Sequence, residues 1–406
     1  MNINSVTNLH KCTSCQMCAA VCPKEAITIS LDKEGFYRPF VNNDKCIDCS
    51  KCTKYCYKFD KDIKGFNVDV IKKTKLFAAK AKDNSILSQT TSGGIADIIS
   101  HALHASGYKC IGVVYDSSKD IAKNIVAKDE HELTLFRGSK YIQSYTLDAF
   151  KELTKGCMDE KYAIFGTPCH IYALHKYLES KNIRRNHFLI DMYCHGCPSM
   201  NLWKKYISKV HHDNLFRDKE YVVNFRSKYR GWGRYTIKFT ANNGQSYISR
   251  KVNDGFFNLF FSDTILNEAC HDCKLRETLQ YTDIRLGDFW GKEYVFNHNG
   301  MSAVSIVTTK AVKIFTHISE QLYAEEKDYD NFLKWQSVGK KTCPNAKTRS
   351  VLLTMLATNK TTITDCHAAY FKSLDRLGRI KKNIKDILQL LPNWLLSITK
   401  YLFYKL

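Results

Sequence analysis

Eight of the 17 cysteines in this 406-residue chain fall in two copies of one spacing, C-x2-C-x2-C-x3-C. The copies are Cys12, Cys15, Cys18 and Cys22, followed by Cys46, Cys49, Cys52 and Cys56. Pro23 follows the first copy, whereas Tyr57 follows the second. Three thiolates at three-residue intervals can surround one face of an iron–sulfur cubane, so this internal repeat indicates a cluster-binding unit.

The fourth cysteine of each run is expected to ligate the other cluster, because it opens the helix after the three-cysteine loop. One [4Fe-4S] cluster is therefore assigned to Cys12, Cys15, Cys18 and Cys56, and the second to Cys22, Cys46, Cys49 and Cys52. A pair of zinc knuckles is the alternative, and the repeated spacing disfavours it. Residues 1–62 resemble a bacterial-type two-cluster ferredoxin, and we expect this small segment to fold only as its clusters assemble.

The composition is that of a globular protein, with 44% hydrophobic and 25% charged residues. No run of 18 uncharged apolar residues is present, which predicts that no helix spans a membrane. The first residues lack the apolar stretch of a secretory signal. We therefore expect a cytoplasmic protein, with peripheral contact on the inner face of the membrane as an alternative, and metal or redox chemistry rather than disulfides.

The net charge of +21 comes from 61 lysines and arginines against 40 acidic residues. Residues 1–62 hold nine basic and seven acidic residues, residues 379–406 hold six and one, and the remaining excess forms no dense run. A specific nucleic-acid ligand would require a concentrated stripe of positive charge. The pattern instead predicts general attraction to acidic partners and no specific nucleic acid.

Alternating strand and helix patterns in the body of the chain predict parallel strands. The predicted strands are residues 108–116, 161–165 and 187–193. Cys169 lies in the loop after the second of these, and Cys194 in the loop after the third. Loops at the carboxyl ends of parallel strands share one sheet edge, so these two cysteines are expected to lie close together.

Two segments could bind an anionic, flat ligand. Thr91, Ser92, Gly93 and Gly94 precede a helical pattern with Ser92 as its expected N-cap, and a glycine loop that opens a helix suits the phosphates of a dinucleotide. Segment 136–141 is basic and aromatic, so it could hold a phosphate and stack a tyrosine on a ring. An ordinary capped helix and a solvated basic loop are the alternatives.

Segment 221–262 changes character and predicts an antiparallel insertion, with Asn243-Gly244 as a hairpin signal. Basic residues alternate with an aromatic one: Arg226, Lys228, Arg230, Trp232 and Arg234. They could bind a flavin-like ring, an anionic substrate or nucleic acid, and a solvated sheet face is the alternative.

Two further C-x2-C pairs are Cys194 with Cys197 and Cys270 with Cys273. A zinc ribbon would need such pairs roughly 15–20 residues apart, whereas 72 residues separate Cys197 from Cys270. With Cys169 as a fifth candidate, the sequence favours a third [4Fe-4S] cluster. The cysteines without a neighbour at metal spacing are interpreted as buried small hydrophobic residues: Cys110, Cys157, Cys343 and Cys366.

Seven motifs follow the cysteine repeat in the order TSGG, FRGSKY, FGTPCH, CHGCPS, NFRSKYRGWG, CHDC and LGDFWG. In this combination, residues 1 to about 310 resemble the family of coenzyme F420 hydrogenase and dehydrogenase beta subunits. The resemblance implies a core that binds FAD and a [4Fe-4S] cluster. It assigns flavin contacts to Thr91, Ser92, Gly93, Gly94, Ser139, Lys140 and Tyr141.

The same resemblance assigns the core cluster to Cys169, Cys194, Cys270 and Cys273. Cys197 departs from the family pattern and could compete as a ligand. His195 could supply a proton, but its position next to Cys194 favours a role that supports this predicted ligand.

We therefore expect a mixed α/β, or α+β, chain in four parts. These are a ferredoxin domain at 1–62, the flavin-binding part of the core at 75–160, the rest of the core with a third cluster at 161–340, and a helical basic tail at 341–406. The expected function is that of an FAD-dependent iron–sulfur oxidoreductase, linking a low-potential electron donor protein or partner subunit to a small-molecule acceptor. By the resemblance, the acceptor is a deazaflavin or an intermediate of polysaccharide biosynthesis. A non-catalytic electron-transfer protein docked on a separate enzyme is the alternative.

The last residues begin basic and become apolar, with Trp394, Phe403 and Tyr404. Pro392, Lys400 and Lys405 argue against a spanning helix. We expect residues 379–406 to form an amphipathic segment that lies on an anionic membrane, or else to pack on the protein's own core or a partner subunit.

Overall fold

The computed structural model describes residues 1–4, 9–63, 65, 67–156, 159–212, 220–334, 336, 338–339 and 341–403. The strands are β1 (Ile27–Leu31), β2 (Tyr37–Val41), β3 (Lys75–Ala81), β4 (Lys109–Asp116), β5 (Ile121–Val126), β6 (Ser144–Tyr145), β7 (Tyr162–Phe165), β8 (Phe188–Met192), β9 (Tyr221–Ser227), β10 (Thr236–Ala241), β11 (Ser246–Ile248), β12 (Ile284–Asp288), β13 (Ser302–Ile306) and β14 (Leu322–Glu326). The helices are α1 (Met17–Ala20), α2 (Lys51–Lys54), α3 (Val68–Lys72), α4 (Asn84–Gln89), α5 (Ile95–Ala105), α6 (Glu130–Thr134), α7 (Leu147–Lys155), α8 (Pro168–Ser180), α9 (Met200–His212), α10 (Gly255–Phe260), α11 (Thr309–His317), α12 (Tyr329–Lys334), α13 (Ala346–Ala357), α14 (Ile363–Ser373), α15 (Arg376–Leu390) and α16 (Asn393–Phe403).

A nine-stranded sheet forms the centre of the molecule, in the order β14-β3-β13-β12-β8-β7-β4-β5-β6. The four strands β12, β8, β7 and β4 are parallel, and antiparallel pairs flank them on both sides. The predicted strand–loop–helix units are therefore present, and the mixed α/β fold class is confirmed. The apolar runs of β7 and β8 are buried, as parallel strands covered on both faces require.

The predicted antiparallel insertion is also present, as a three-stranded sheet in the order β11-β10-β9. The hairpin between β10 and β11 turns at Asn243-Gly244. This sheet shares a large aromatic core with α9 and α10, in which Trp203 and Phe239 are fully buried. Among the described residues, no helix combines the length and apolar character that crossing a membrane requires.

The loop before α5 differs from the sequence expectation, and the prediction of Ser92 as N-cap is wrong. The N-cap is Gly94, with a left-handed backbone (φ +80°), and the Ser92 hydroxyl donates to the Met301 carbonyl oxygen at 2.8 Å. A Cβ on Gly93 would lie 2.3 Å from the carbonyl oxygen of Ala79 on β3. Close packing of the loop on the sheet, rather than capping by a hydroxyl, therefore determines where the helix begins.

The ferredoxin-like segment is packed against the central sheet. The Gln16 side chain, between two repeat cysteines, accepts hydrogen bonds from the backbone N–H groups of Thr146 and Leu147 at 2.9 and 3.0 Å. Gly35 (φ +82°), in the β1–β2 turn, approaches α9 so closely that a Cβ would lie 2.6 Å from the Ser199 hydroxyl. These contacts fix the cysteine repeat relative to the rest of the chain.

Gly93→Ala is expected to destabilise the fold by about 2 kcal/mol, because the added methyl group meets backbone atoms that cannot rotate away. The measurement is the urea midpoint of the cluster-loaded protein under anaerobic conditions. Gly65→Ala is the matched control, since its Cβ would come no closer than 3.7 Å to the Glu277 carboxylate. Equal midpoints for the two variants would contradict the packing role of Gly93.

Candidate redox centre

The cysteine repeat encloses two cavities. One, of about 380 Å³, is lined by Cys12, Cys15, Cys18 and Cys56. The other, of about 350 Å³, is lined by Cys22, Cys46, Cys49 and Cys52. Both spaces are partly open to solvent. The structure thus groups each set of three cysteines with the fourth cysteine of the other run.

The backbone of the two cysteine loops repeats an uncommon conformation. Ser14 and Gln16 have φ of +64°, and the corresponding residues of the second copy, Asp48 and Ser50, have φ of +48° and +59°. Alternation of right- and left-handed residues turns successive N–H groups toward one concave side, which is the backbone arrangement that iron–sulfur sites use. The same strained geometry at equivalent positions of both loops fits a cluster in each cavity.

Burial makes the thiols of the first cavity hard to ionise without a metal. It raises the pKa of Cys15 to about 11, and the neighbouring Cys12 thiolate acts in the same direction. The pKa of Cys18 is raised further, again chiefly by burial and then by the other thiolates. Buried thiolates such as those of Cys15 and Cys18 are stabilised by a bound cation, so the donor set suits iron.

The two cavities differ in their exposure. Cys49, in the second cavity, is exposed, whereas Cys15 and Cys18 in the first are buried. The second cavity is therefore the more exposed of the two.

Five further cysteines converge at the edge of the central sheet. Cys169 lies in the first turn of α8 after β7, and Cys194 and Cys197 lie in the loop after β8. The remaining two, Cys270 and Cys273, border short 3-10 turns before β12. Burial raises the pKa of Cys197, and the nearby thiolates of Cys270, Cys194, Cys169 and Cys273 raise it further, which places all five within electrostatic reach. The backbone N–H of Cys197 lies 3.4 Å from the Cys270 sulfur.

A buried ion pair that the sequence analysis missed supports this group. Arg285 on β12 and Asp191 on β8 are register partners and form a bidentate pair at 2.8 and 2.6 Å. The Arg285 guanidinium also donates to the carbonyl oxygens of Leu275 and Arg276, in the turn after Cys273. Arg276 in turn donates to the carbonyl oxygens of His195 and Cys270 at 2.9 and 2.8 Å. Both arginines oppose the effect of burial on the pKa of Cys194.

His195 pairs with a carboxylate and packs on an aromatic ring. Its Nε2 atom pairs with Asp263 Oδ1 at 2.7 Å, and its ring packs on Phe260. These contacts hold the His195 side chain, and with it the loop that carries Cys194.

The first cavity adjoins the five-cysteine group. Burial is the main cause of the raised pKa of Cys169, and the largest charge effect on it comes from Cys15. Tyr57, the residue that replaces the second proline, lies between them: its hydroxyl oxygen accepts from the backbone N–H of Lys274 at 3.2 Å, and its ring contacts Tyr172 edge-on. The sequence marked Tyr57 only as a departure from the repeat, and gave no signal of this contact.

The two loops assigned to a flavin touch each other. The backbone N–H of Ser139 donates to the Thr91 hydroxyl at 2.7 Å. Arg137, in the second loop, forms a bidentate pair with Asp97 in the first turn of α5, at 2.7 and 3.0 Å. The Arg137 guanidinium is thus engaged by protein groups and joins the loops rather than standing free for a phosphate.

The Lys140 ammonium group points away from this contact. It donates to the carbonyl oxygens of Leu135, Phe136 and Arg137 at 2.9, 3.2 and 3.0 Å, at the end of α6. Lys228, from the insertion, lies closer to the glycine loop and donates to the Ser92 carbonyl oxygen at 2.7 Å. Burial lowers the pKa of Lys228 to about 8.

Arg226 occupies an aromatic box beside Tyr141. Its guanidinium lies 4.4, 5.1 and 5.7 Å from the ring centres of Tyr235, Trp290 and Trp232. The side chain is only 1% exposed and pairs with Asp288, which raises its pKa. It also donates to the Tyr141 hydroxyl at 3.3 Å, while its Nε atom has no hydrogen-bond partner. The motif LGDFWG supplies Asp288 and Trp290 and was the available signal for this box.

The burial of the cysteines outside the three groups agrees only in part with the sequence prediction. Cys110 and Cys366 are buried, as the sequence interpretation predicted. Cys343 is exposed, so the prediction that it is buried is wrong; it lies in an irregular segment just before α13. Cys157 lies outside the described residues. Within the described ranges, no three or more His, Cys, Asp or Glu side chains are grouped as the ligands of a single metal ion.

Comparison with known proteins gives two family matches. Residues 159–331 match the C terminus of the coenzyme F420 hydrogenase/dehydrogenase beta subunit, and residues 11–60 match the 4Fe-4S dicluster domain. The chain is 26% identical over 183 residues to the F subunit of the F(420)H(2) dehydrogenase of Methanosarcina mazei, covering 42% of this chain and 49% of that protein. The chain thus spans about half the length of this curated relative.

A solved structure of the F420-reducing [NiFe] hydrogenase complex from Methanosarcina barkeri is similar at 16% identity, with a TM-score of 0.43. That alignment covers 79% of this chain and 96% of the hydrogenase chain.

Each cavity is lined by three cysteines of one run and the fourth cysteine of the other run. This grouping predicts the iron content of double cysteine variants. Cys22→Ala with Cys49→Ala should lose about four iron atoms per chain, no more than either single variant, because both line one cavity. Cys22→Ala with Cys15→Ala should lose about eight, because they line different cavities. Iron is measured on anaerobically reconstituted full-length protein. The opposite pattern would mean that each cysteine run binds its own cluster.

Proposed function

We propose that this chain is an FAD-dependent iron–sulfur oxidoreductase, because residues 159–331 match the C terminus of the coenzyme F420 hydrogenase/dehydrogenase beta subunit and residues 11–60 match a 4Fe-4S dicluster domain. The observation that carries the proposal is the continuity of its cysteine sites. The solvent-facing cavity, the interior cavity and the five-cysteine group follow one another from the surface to the edge of the central sheet.

The exposed cavity is the entry point for electrons in this proposal. Cys49 is exposed, as are its neighbours Ile47 and Asp48. A low-potential donor protein or a partner subunit would approach here, because single-electron transfer requires short distances between cofactors. Cys15 and Cys169 then link the interior cavity to the sheet edge.

The five-cysteine group is proposed to hold a third [4Fe-4S] cluster through Cys169, Cys194, Cys270 and Cys273. The Asp191–Arg285 pair and Arg276 hold the loops that carry these thiols, as buried contacts behind the ligands do at metal sites. Cys197 is left out of this ligand set because it departs from the family pattern; its backbone N–H donates to the Cys270 sulfur.

The contact between the glycine loop and segment 136–141 is proposed to be the flavin site. Thr91 and Ser139 join its two sides, and Lys228 and Arg226 add positive charge from the insertion. Bound clusters would carry single electrons, and a bound flavin would pair two of them for delivery as a hydride. The cationic side chains favour an anionic cofactor or substrate at this place, because both are largely withdrawn from solvent.

The acceptor is proposed to be a small organic molecule, either a deazaflavin or an intermediate of polysaccharide biosynthesis. The family match supports the deazaflavin, whereas the second acceptor rests on the sequence resemblance alone.

Reconstitution should yield about twelve iron atoms and one FAD per chain, from three clusters of four iron atoms. Cys169→Ala should lower the iron content by about four, whereas Cys197→Ala, in the same group, should leave it unchanged. Iron analysis and flavin released on denaturation measure both quantities. Eight iron atoms in the unmodified protein would show that the third cluster is absent. If Cys197→Ala lost iron and Cys169→Ala did not, Cys197 would be a ligand in place of Cys169.

Turnover should be observed with the isolated chain. Cluster- and FAD-loaded protein, reduced anaerobically with dithionite, is expected to reduce a deazaflavin in the absence of any other protein, followed by the absorbance of the acceptor. Protein lacking FAD but with its full iron content is the control. If the loaded protein is reoxidised only when a second enzyme is added, the chain is an electron-transfer protein rather than a catalyst.

A further inference from the structure

The helix α15 leaves a row of large apolar side chains in solvent. Leu377, Ile380, Ile384 and Ile387 recur at the spacing i, i+3, i+7 and i+10, which puts them on one face. Together with Leu390 they are between 45% and 65% exposed, and no residue of α15 is buried. We define these five residues as the α15 stripe. Such a contiguous apolar surface on a folded chain marks a docking site.

The charges around the α15 stripe have one sign. The helix carries five basic residues and a single acidic one, Asp386, which pairs with Lys382. By helical geometry Arg376 and Lys381 border the stripe, and Arg379 and Lys385 lie farther round the helix. All four of these basic side chains are exposed. A partner that binds the α15 stripe must therefore contact it with apolar groups and carry negative charge beside them.

The following helix adds apolar and aromatic side chains to the same end of the molecule. Trp394, Leu402 and Phe403 of α16 are 62%, 54% and 64% exposed. The other side of α16 packs on the core, where Leu396 and Ser397 are buried and the Ser397 hydroxyl donates to the Val295 carbonyl oxygen at 2.9 Å. The tail is thus attached to the protein by one side of α16 and by the last turn of α15, while the α15 stripe remains exposed.

We propose that α15, together with the exposed side of α16, docks on an anionic lipid surface. Lysines and arginines bordering a stripe of leucine and isoleucine, with tryptophan and phenylalanine nearby, are the features of helices that lie in the membrane interface. A second copy of the chain fits less well, because pairing of two α15 stripes would bring their basic borders together. An acidic protein partner is the remaining occupant, and vesicle flotation separates it from lipid.

Docking through this tail would orient the redox centre. Arg234, in the same turn as Trp232, donates to the carbonyl oxygens of Gln389 and Leu391 at 2.8 and 2.6 Å and to the Asn393 side chain at 3.0 Å. These contacts hold the junction between α15 and α16 next to the aromatic box of Arg226. A lipid surface bound to the tail would therefore lie on the side of the molecule that carries this box.

The test is flotation of the full-length, cluster-loaded protein with vesicles of phosphatidylcholine alone or of phosphatidylcholine with phosphatidylglycerol. Binding is expected only to the anionic vesicles and should weaken as salt is raised. Ile384→Ser/Ile387→Ser and Lys381→Gln/Lys385→Gln should each lower the partition coefficient on the order of tenfold, since one removes apolar contact and the other charge.

Matched controls are Val222→Ser, another strongly exposed apolar residue, and Lys360→Gln/Lys372→Gln, two exposed lysines outside α15. Both should bind as the unmodified protein does, and iron content should be equal in all variants. Equal binding to neutral vesicles, or no loss in the α15 variants, would overturn the proposal. Absence of lipid binding, with a mass in solution that falls from dimer to monomer in Ile384→Ser/Ile387→Ser, would assign the stripe to a second copy. Absence of both would leave an acidic protein as the occupant and would equally overturn the lipid assignment.

Discussion

Three buried amide side chains connect the cysteine repeat to the central sheet, and the arrangement of the redox centre depends on them. Gln16 accepts from the first N–H groups of α7, Gln143 donates to the carbonyl oxygens of Gly35 and Pro198, and Asn267 donates to the Ser14 hydroxyl. All three are at most 3% exposed. A buried amide that loses its partners is costly, so these bonds impose one orientation of the repeat on the core.

This orientation explains why the two cavities differ. The loop that carries Ser14 and Gln16 faces the sheet, and its cavity is therefore interior and close to Cys169. The second loop has no comparable buried amide in its cysteine run, and Cys49 remains exposed. Two copies of one cysteine spacing thus acquire different surroundings, one more exposed to solvent and the other packed against the rest of the chain.

Near the glycine loop, the antiparallel insertion supplies positively charged side chains that the loop itself lacks. Gly93 packs on the sheet and Gly94 caps α5. The Lys140 ammonium group is hydrogen-bonded at the end of α6. Positively charged side chains near the two loops therefore come from the insertion, as Arg226 and Lys228. The aromatic box keeps Arg226 out of solvent, where its ion pair with Asp288 is screened less than an exposed pair would be. The same turn holds the tail through Arg234, which joins the site to the exposed α15 stripe.

The sequence by itself determined the local features of this protein. Spacing sufficed for the cysteine runs, the parallel strands β7 and β8, and the hairpin at Asn243-Gly244, because each depends on neighbours within a few residues. It also indicated that Cys169 and Cys194 would share a sheet edge, since parallel strands place their following loops together. Only the tertiary structure decided that Gly94 rather than Ser92 caps α5, that Cys343 is exposed, and that Tyr57 and the Asp191–Arg285 pair support the five-cysteine group. Each of these depends on atoms far apart in the chain, and such contacts leave no periodic trace in the sequence.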